Sequence, residues 1–235
     1  MGTSVGTKAA TGAVVAELRD VADPSRLPGM SRVGITVERA LGVSLPNLRR
    51  IARGHRRDHA LALGLWTTGI HEARILASMV DDPALVTRRQ MDAWVVDLDS
   101  WDVCDQVCGN LFRSARAVDA AARAWARRPE TFVRRAAFSI AAIQAVHDRD
   151  RPDADFEAWF PRIHRAAVDE RDTVKKGVSW ALRQIGKRNE RLRLLAIAEA
   201  ETLLDLDDRH ARWIARDALR ELRSDAVVRR TASGR

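Results

Sequence analysis

Three stretches in the second half of the chain align without a gap: VRRAAFSIAAI from Val133, VKKGVSWALRQI from Val174 and ARWIARDALREL from Ala211. Each opens on one or two basic residues after a polar break, then carries apolar positions at helical spacing. In the middle copy Val174, Val178, Ala181, Leu182 and Ile185 share one face, an ordinary core stripe. A helix that recurs about every 40 residues belongs to a unit that buries its apolar face against the next copy, so the repeats must stack.

The rest of the chain reads the same way. Sustained alternation and hairpin dipeptides are missing, and helical period dominates from about Gly12 onward. Breaks are expected at 23–29, 42–46, 67–69, 81–83, 97–100, 128–131, 148–153, 169–172 and 206–208, which leaves about ten to twelve helices of ordinary length. The expected fold is all-α, a HEAT-like or ARM-type helical repeat array (an α-solenoid) with a concave, basic face. Residues 13–224 would form one repeat domain between a flexible lead, 1–12, and a flexible tail, 225–235. An irregular helical bundle with coincidental spacing is the alternative.

Charge says what such a face would meet. Lys and Arg number 40 against 32 Asp and Glu, a formal charge of +8, which suits an acidic polymer, nucleic acid ahead of membrane. Cys104 and Cys108 are the only cysteines. Four residues apart they sit one helical turn from each other, not in a CxxC pair, and no His cluster completes a metal site. No metal or other cofactor is therefore expected. Reduced thiols fit a cytoplasmic protein, no apolar run nears the roughly 20 residues that span a bilayer, and the N-terminus has no signal-peptide core.

Four places invite a chemical reading. Trp180 lies opposite the core stripe of its helix, among Lys176, Arg183, Gln184 and Lys187. A flat ring among cations suits a sugar-phosphate chain. In DLDSWDVCDQVCGNLF a helix starts near Asp99 or Ser100, with Asp102 in its first turn. On it Trp101, Asp105, Cys108 and Phe112 share a narrow arc, apart from the apolar arc of Val103, Cys104, Val107 and Leu111. Taken alone, Asp105 suits a salt bridge or a cap better than catalysis. Arg134 and Arg135 open another helix, where the macrodipole disfavours cations and calls for an anionic neighbour; Arg135 projects over the small Ser139 and Ala142. In GIHEARILASMV, His71, Glu72 and Arg74 lack the second His of HEXXH, and Glu72 and Arg74 suit inter-helix ion pairs. Trp66, Trp94, Trp125, Trp159 and Trp213 fit core or inter-helix packing.

GVSLPNLRRIA (from Gly42), LWTTGIHEARILASMV, SWDVCDQVCGNLF, FVRRAAF and VKKGVSWALRQIGKRN, in this order and spacing, resemble the bacterial DNA alkylation repair proteins of the AlkD-like group over roughly residues 34–222. The resemblance implies a HEAT-like array that binds double-stranded DNA as a monomer and acts as a monofunctional glycosylase on cationic N3- or N7-alkylated purines, without a base-flipping pocket. It implies that Trp101 and Asp105 cradle the deoxyribose of the lesion, that Arg135 contacts backbone near it, and that Trp180 packs on the sugar. Arg134, Lys175, Lys176, Arg183 and Lys187 would join Arg135 on the DNA. Two departures stand out. The chain has no Tyr and no aromatic in residues 9–26, where the family's best-studied members carry one that reaches toward the lesion, and Cys104 replaces a small hydroxyl residue. Relatives that keep the fold without catalysis make a DNA-binding protein for distorted or branched duplexes the second expectation, and a protein–protein adaptor the third.

Overall fold

A computed structural model describes residues 2–232. Helices make up 71% of the chain and the described residues contain no strand. By its own contacts the chain divides into two compact units, residues 1–119 and 120–235, where one repeat domain over 13–224 is the sequence expectation.

The first unit holds α1 (Gly2–Asp20), α2 (Leu27–Arg32), α3 (Leu45–Ala52), α4 (His59–Thr67), α5 (His71–Val80), α6 (Arg88–Val96) and α7 (Trp101–Asn110). The lead expected over 1–12 is already helical from Gly2. Val14, Val15 and Leu18 of α1 are buried, and α1 packs on α4. Gly64 permits that approach, since a Cβ there would stand 2.2 Å from the Thr11 hydroxyl. α5 packs in turn against α4, α3 and α7. The indoles of Trp66 and Trp94 stack with centroids 4.0 Å apart and planes 4° from parallel. The Trp66 N–H donates to Asp97 at 2.8 Å, so a buried polar edge keeps its partner.

α8 (Val118–Trp125) runs across the division. The second unit continues with α9 (Thr131–His147), α10 (Asp153–Glu157), α11 (Phe160–Ala166), α12 (Asp172–Gly186), α13 (Glu190–Leu204), α14 (Arg209–Leu222) and α15 (Asp225–Ala232). The three aligned stretches are α9, α12 and α14, and α12 packs against both of the others. Val174, Val178, Ala181, Leu182 and Ile185 are all 0% exposed. At about 1.5–3 kcal/mol per large apolar side chain, that stripe drives the stacking. The expected tail is helical from Asp225 to Ala232, with Val227 buried; residues 233–235 lie outside the described chain.

Helix starts follow the polar breaks. Ser44, Asp58, Thr87, Asn189 and Asp208 each accept a backbone N–H from the first turn of the helix they precede, a cap worth about 1 kcal/mol. Among the described residues there are fifteen α-helices rather than ten to twelve, because α2, α10 and α11 are too short to show a period.

Candidate functional site

In the first unit the candidate residues stand on α7. Ser100 is its N-cap residue, but its hydroxyl turns to Asp102 Oδ1 at 2.5 Å and caps no first-turn N–H. Asp102 Oδ2 meets His71 Nε2 at 2.9 Å. Burial lowers the imidazole pKa, but the hydrogen bond and charge of Asp102, then the charges of Glu72 and Asp99, carry it above its ordinary value. Burial likewise raises the Asp102 carboxyl, and His71 with Ser100 outweighs it and holds that group below the usual range. This pair fixes α7 on α5.

Trp101 and Asp105 follow on the outer side of the same helix, one turn apart and both half-buried. The Trp101 indole N–H donates to the Val33 carbonyl at 3.1 Å, so the ring is held in place and not free to swing. The rest of the predicted arc turns inward. Cys108 and Phe112 are 0% exposed, and α7 ends at Asn110, so Phe112 lies in a following 3-10 turn and packs near Trp94 instead of flanking the carboxylate. Cys104 and Cys108 are buried, unbridged thiols.

Glu72 plays a part that sequence reasoning missed. Among the described residues it makes no inter-helix ion pair; instead its buried carboxylate accepts the backbone N–H groups of Leu41, Gly42 and Val43 at 2.8, 2.7 and 3.2 Å. Gly42 makes this possible, with φ +77° and Asp23 O only 2.0 Å from where a Cβ would stand. Arg74 does pair as expected, with Asp99 at 3.6 Å, and it also donates to the Asp97 carbonyl and covers Trp66. No cluster of metal-ligating side chains occurs among the described residues.

In the second unit the candidates stand on α9 and α12. Arg135 is 6% exposed and donates to the Thr173 carbonyl at 2.7 Å. The small space beside it is taken by α12, whose Gly177 would carry a Cβ 3.5 Å from Arg135 Cγ. Arg134 meets Asp169 at 2.7 Å, which is the anionic neighbour that two cations at a helix start require. Asp169 also takes Arg171. Burial raises its carboxyl, the two guanidiniums outweigh that, and its pKa is lowered to about 2.

On α12, Lys175 pairs with Asp172 at 2.6 Å and sits 4.8 Å over the Trp213 ring. Trp213 is 41% exposed; of the core or inter-helix packing expected for it, the structure shows an inter-helix contact with Lys175. Arg183 pairs with Asp217 and Glu221, at 3.2 and 2.5 Å, and Lys187 with Glu221 at 2.5 Å. Burial raises the Glu221 carboxyl; these two cations hold it below its ordinary value. Lys176 is exposed and, among the described residues, makes no ion pair. Trp180 is half-buried beside it and, among the described residues, makes no hydrogen bond or ring contact. The α12 face therefore presents Lys176 and Trp180 outward, while Arg183 and Lys187 are held by carboxylates of α14 and Lys175 by Asp172 of its own helix.

No helix among the described residues is long and apolar enough to cross a membrane. No curated protein matches the chain. A solved structure described as a new family of proteins related to the HEAT-like repeat DNA glycosylases, with affinity for branched DNA structures, aligns over 90% of this chain and 95% of its own. Its TM-score is 0.74 at 16% identity, a likeness of fold. The crystal structure of an engineered protein aligns over 95% of this chain and 94% of its own at 14% identity, with a TM-score of only 0.43. The sequence profile of one family spans residues 14–222, both units together, and by that match the chain belongs to the DNA alkylation repair enzyme family.

Proposed function

We propose that this protein is a monofunctional DNA glycosylase that releases cationic N3- or N7-alkylated purines from duplex DNA. The observation that carries the reading is the pairing of Trp101 and Asp105, one turn apart on the half-buried side of α7, in a chain of the alkylation repair family. Alkylation at N3 or N7 makes the purine a cation and a good leaving group, so the enzyme need not protonate the base or draw it into a tight pocket. As the bond from C1′ to the base breaks, the electron pair leaves with the base and the sugar becomes positive. Asp105 beside C1′ offsets that charge and orients the water that adds there and gives up its proton.

Two unit charges about 4 Å apart at an effective dielectric near 20 interact by about 4 kcal/mol. Realised mainly in the transition state, that is worth about 10³-fold in rate. Trp101, fixed by Val33, shields the carboxylate from water. Trp180 packs on a sugar of the duplex, and Lys176 takes a phosphate beside it. Arg134, Arg135, Lys175, Arg183 and Lys187 are assigned to the backbone in a second role. They are held by protein partners in the free chain, so phosphates must compete for them.

The test is release of free base from duplex carrying N7-methylguanine or N3-methyladenine, with wild type beside Asp105→Asn. Wild type should release base, and the variant should release it about 10³-fold more slowly while binding DNA equally well. Undiminished release by the variant would remove Asp105 from the chemistry.

A second reading has its own support. The structural neighbour at TM-score 0.74 is described by its affinity for branched DNA, and binding without catalysis needs only the outward Lys176 and Trp180 with other free cations. Binding to branched duplex with no base release by wild type would select it.

A further inference from the structure

Besides the α12 face, the first unit carries a cationic cleft that no site residue so far explains. It lies among the C-terminal ends of α3, α5 and α7, encloses about 440 Å³, and is lined by Arg49, Arg53, Arg56, Arg113 and Asn110 with no carboxylate. Arg49, Arg53 and Arg56 are exposed and make no ion pair among the described residues. Their neighbour Arg50 differs, pairing with Glu17 at 3.2 Å. Arg113 curls back to donate to the Gly109 carbonyl at 2.9 Å.

Helix ends explain part of this charge. A helix C-terminus carries about half a negative charge, so three of them supply roughly −1.5 against the three exposed guanidiniums of Arg49, Arg53 and Arg56. About one and a half positive charges remain in one concavity. Such an excess repels itself unless an anion enters, and guanidinium forks fit the paired oxygens of a phosphate. The cleft also has a fixed relation to the proposed chemistry. Gly109 in its wall is one turn beyond Asp105 on α7, about 6 Å along the helix axis.

We propose that this cleft is a phosphodiester site, in which Arg49, Arg53 and Arg56 hold the backbone of the duplex whose lesion faces Asp105. The proposal rests on the duplex-binding reading above. It assigns the main free cations to the first unit rather than to α12.

The experiment compares wild type with Arg49→Gln/Arg53→Gln/Arg56→Gln and with a charge-matched control at exposed positions elsewhere, Arg89→Gln/Arg216→Gln/Arg229→Gln. Binding to one alkylated duplex is measured across a salt series, with base release on the same duplex and circular dichroism to show that all three are folded. Each phosphate lost should flatten the plot of log K against log salt by about 0.9, so the cleft variant should flatten it by about 2 to 3 and the control by much less. Equal slopes for cleft variant and wild type, or equal flattening in the control, would overturn the proposal while leaving the glycosylase reading intact. Failure of wild type to bind duplex at low salt would overturn both. A parallel thermal-shift titration with inorganic pyrophosphate separates the ligand source. A shift lost only in the cleft variant, with duplex slopes unchanged, would assign the cleft to a free phosphate and end its claim on DNA.

Discussion

The two units join successive helices by opposite electrostatic means. In the first, the joining groups are carboxylates about 31 residues from their partners: the buried Glu72 on the N–H groups of residues 41–43, the half-buried Asp102 on His71, and the exposed Asp97 on Trp66. In the second they are half-exposed cations reaching carboxylates 34 to 38 residues on: Arg134 to Asp169, Arg183 and Lys187 to Glu221. The consequence for function is a reversal. The first unit commits Glu72, Asp97 and Asp102 to N–H and imidazole groups, and Arg49, Arg53 and Arg56 are left without an ion pair among the described residues. The second unit spends its cations on acids, and α12 is left with Lys176 and an unoccupied Trp180.

The comparison breaks first, and most visibly, at Glu72. Glu72→Ala leaves three backbone donors without their acceptor, two of them on the buried Gly42 and Val43. At about 1–3 kcal/mol per unsatisfied buried group, the two buried donors make the expected loss about 2 to 6 kcal/mol. Urea unfolding should show it, and amide exchange should place it in residues 41–52, ahead of the second unit. A loss below about 1 kcal/mol would mean that water replaces the carboxylate and that no buried anion holds this joint.

The second unit's counterpart is Asp169, where the expected effect is somewhat smaller. Its carboxyl falls from 3.8 to about 2 on folding, and its side chain is only 4% exposed. A drop of that size corresponds to about 2 kcal/mol at neutral pH. The sign follows from the depressed pKa. The stabilisation is complete above the unfolded value near 4 and is lost as pH falls through about 2. Asp169→Asn should therefore unfold more readily than wild type at pH 7, and the gap in stability should close between pH 4 and pH 2. A gap that persists at pH 2 would assign the effect to packing instead of charge.

How much of this is legible in sequence differs between the units for a physical reason. Near-40 spacing is visible in the second unit because α9, α12 and α14 are long enough, 14 to 17 residues, to show an apolar stripe. In the first unit α3, α5 and α7 start 26 and then 30 residues apart and run only 8 to 10 residues, so their stripes are too short to align. Helix breaks are legible because Ser, Asp, Thr and Asn caps are local. Trp101 and Asp105 are legible as neighbours because one turn of helix places them so. What one helix cannot reveal is which charges face it from the next repeat. Arg183 and Lys187 look free in the sequence, and the carboxylates that hold them, Asp217 and Glu221, lie more than 30 residues away. The same blindness hides Trp213, whose exposed ring carries Lys175, and the cleft, whose arginines come from segments 60 residues apart.

Those hidden carboxylates supply the smallest but most discriminating prediction. Glu221 holds Arg183 and Lys187 in pairs that are all at least 13% exposed, so Glu221→Gln should cost no more than about 1 kcal/mol in stability. Its effect on DNA should run the other way. Among the described residues, Lys187 loses its only ion pair and Arg183 keeps only Asp217. If pairing is what withholds these cations from phosphate, the variant should bind duplex more tightly, with a salt slope steeper by about 1 to 2. Unchanged binding would show that α12 meets the duplex through Lys176 and Trp180 alone. The sharper form of the comparison would then hold, with the first unit's free arginines gripping the backbone and the second unit's paired cations serving the repeat.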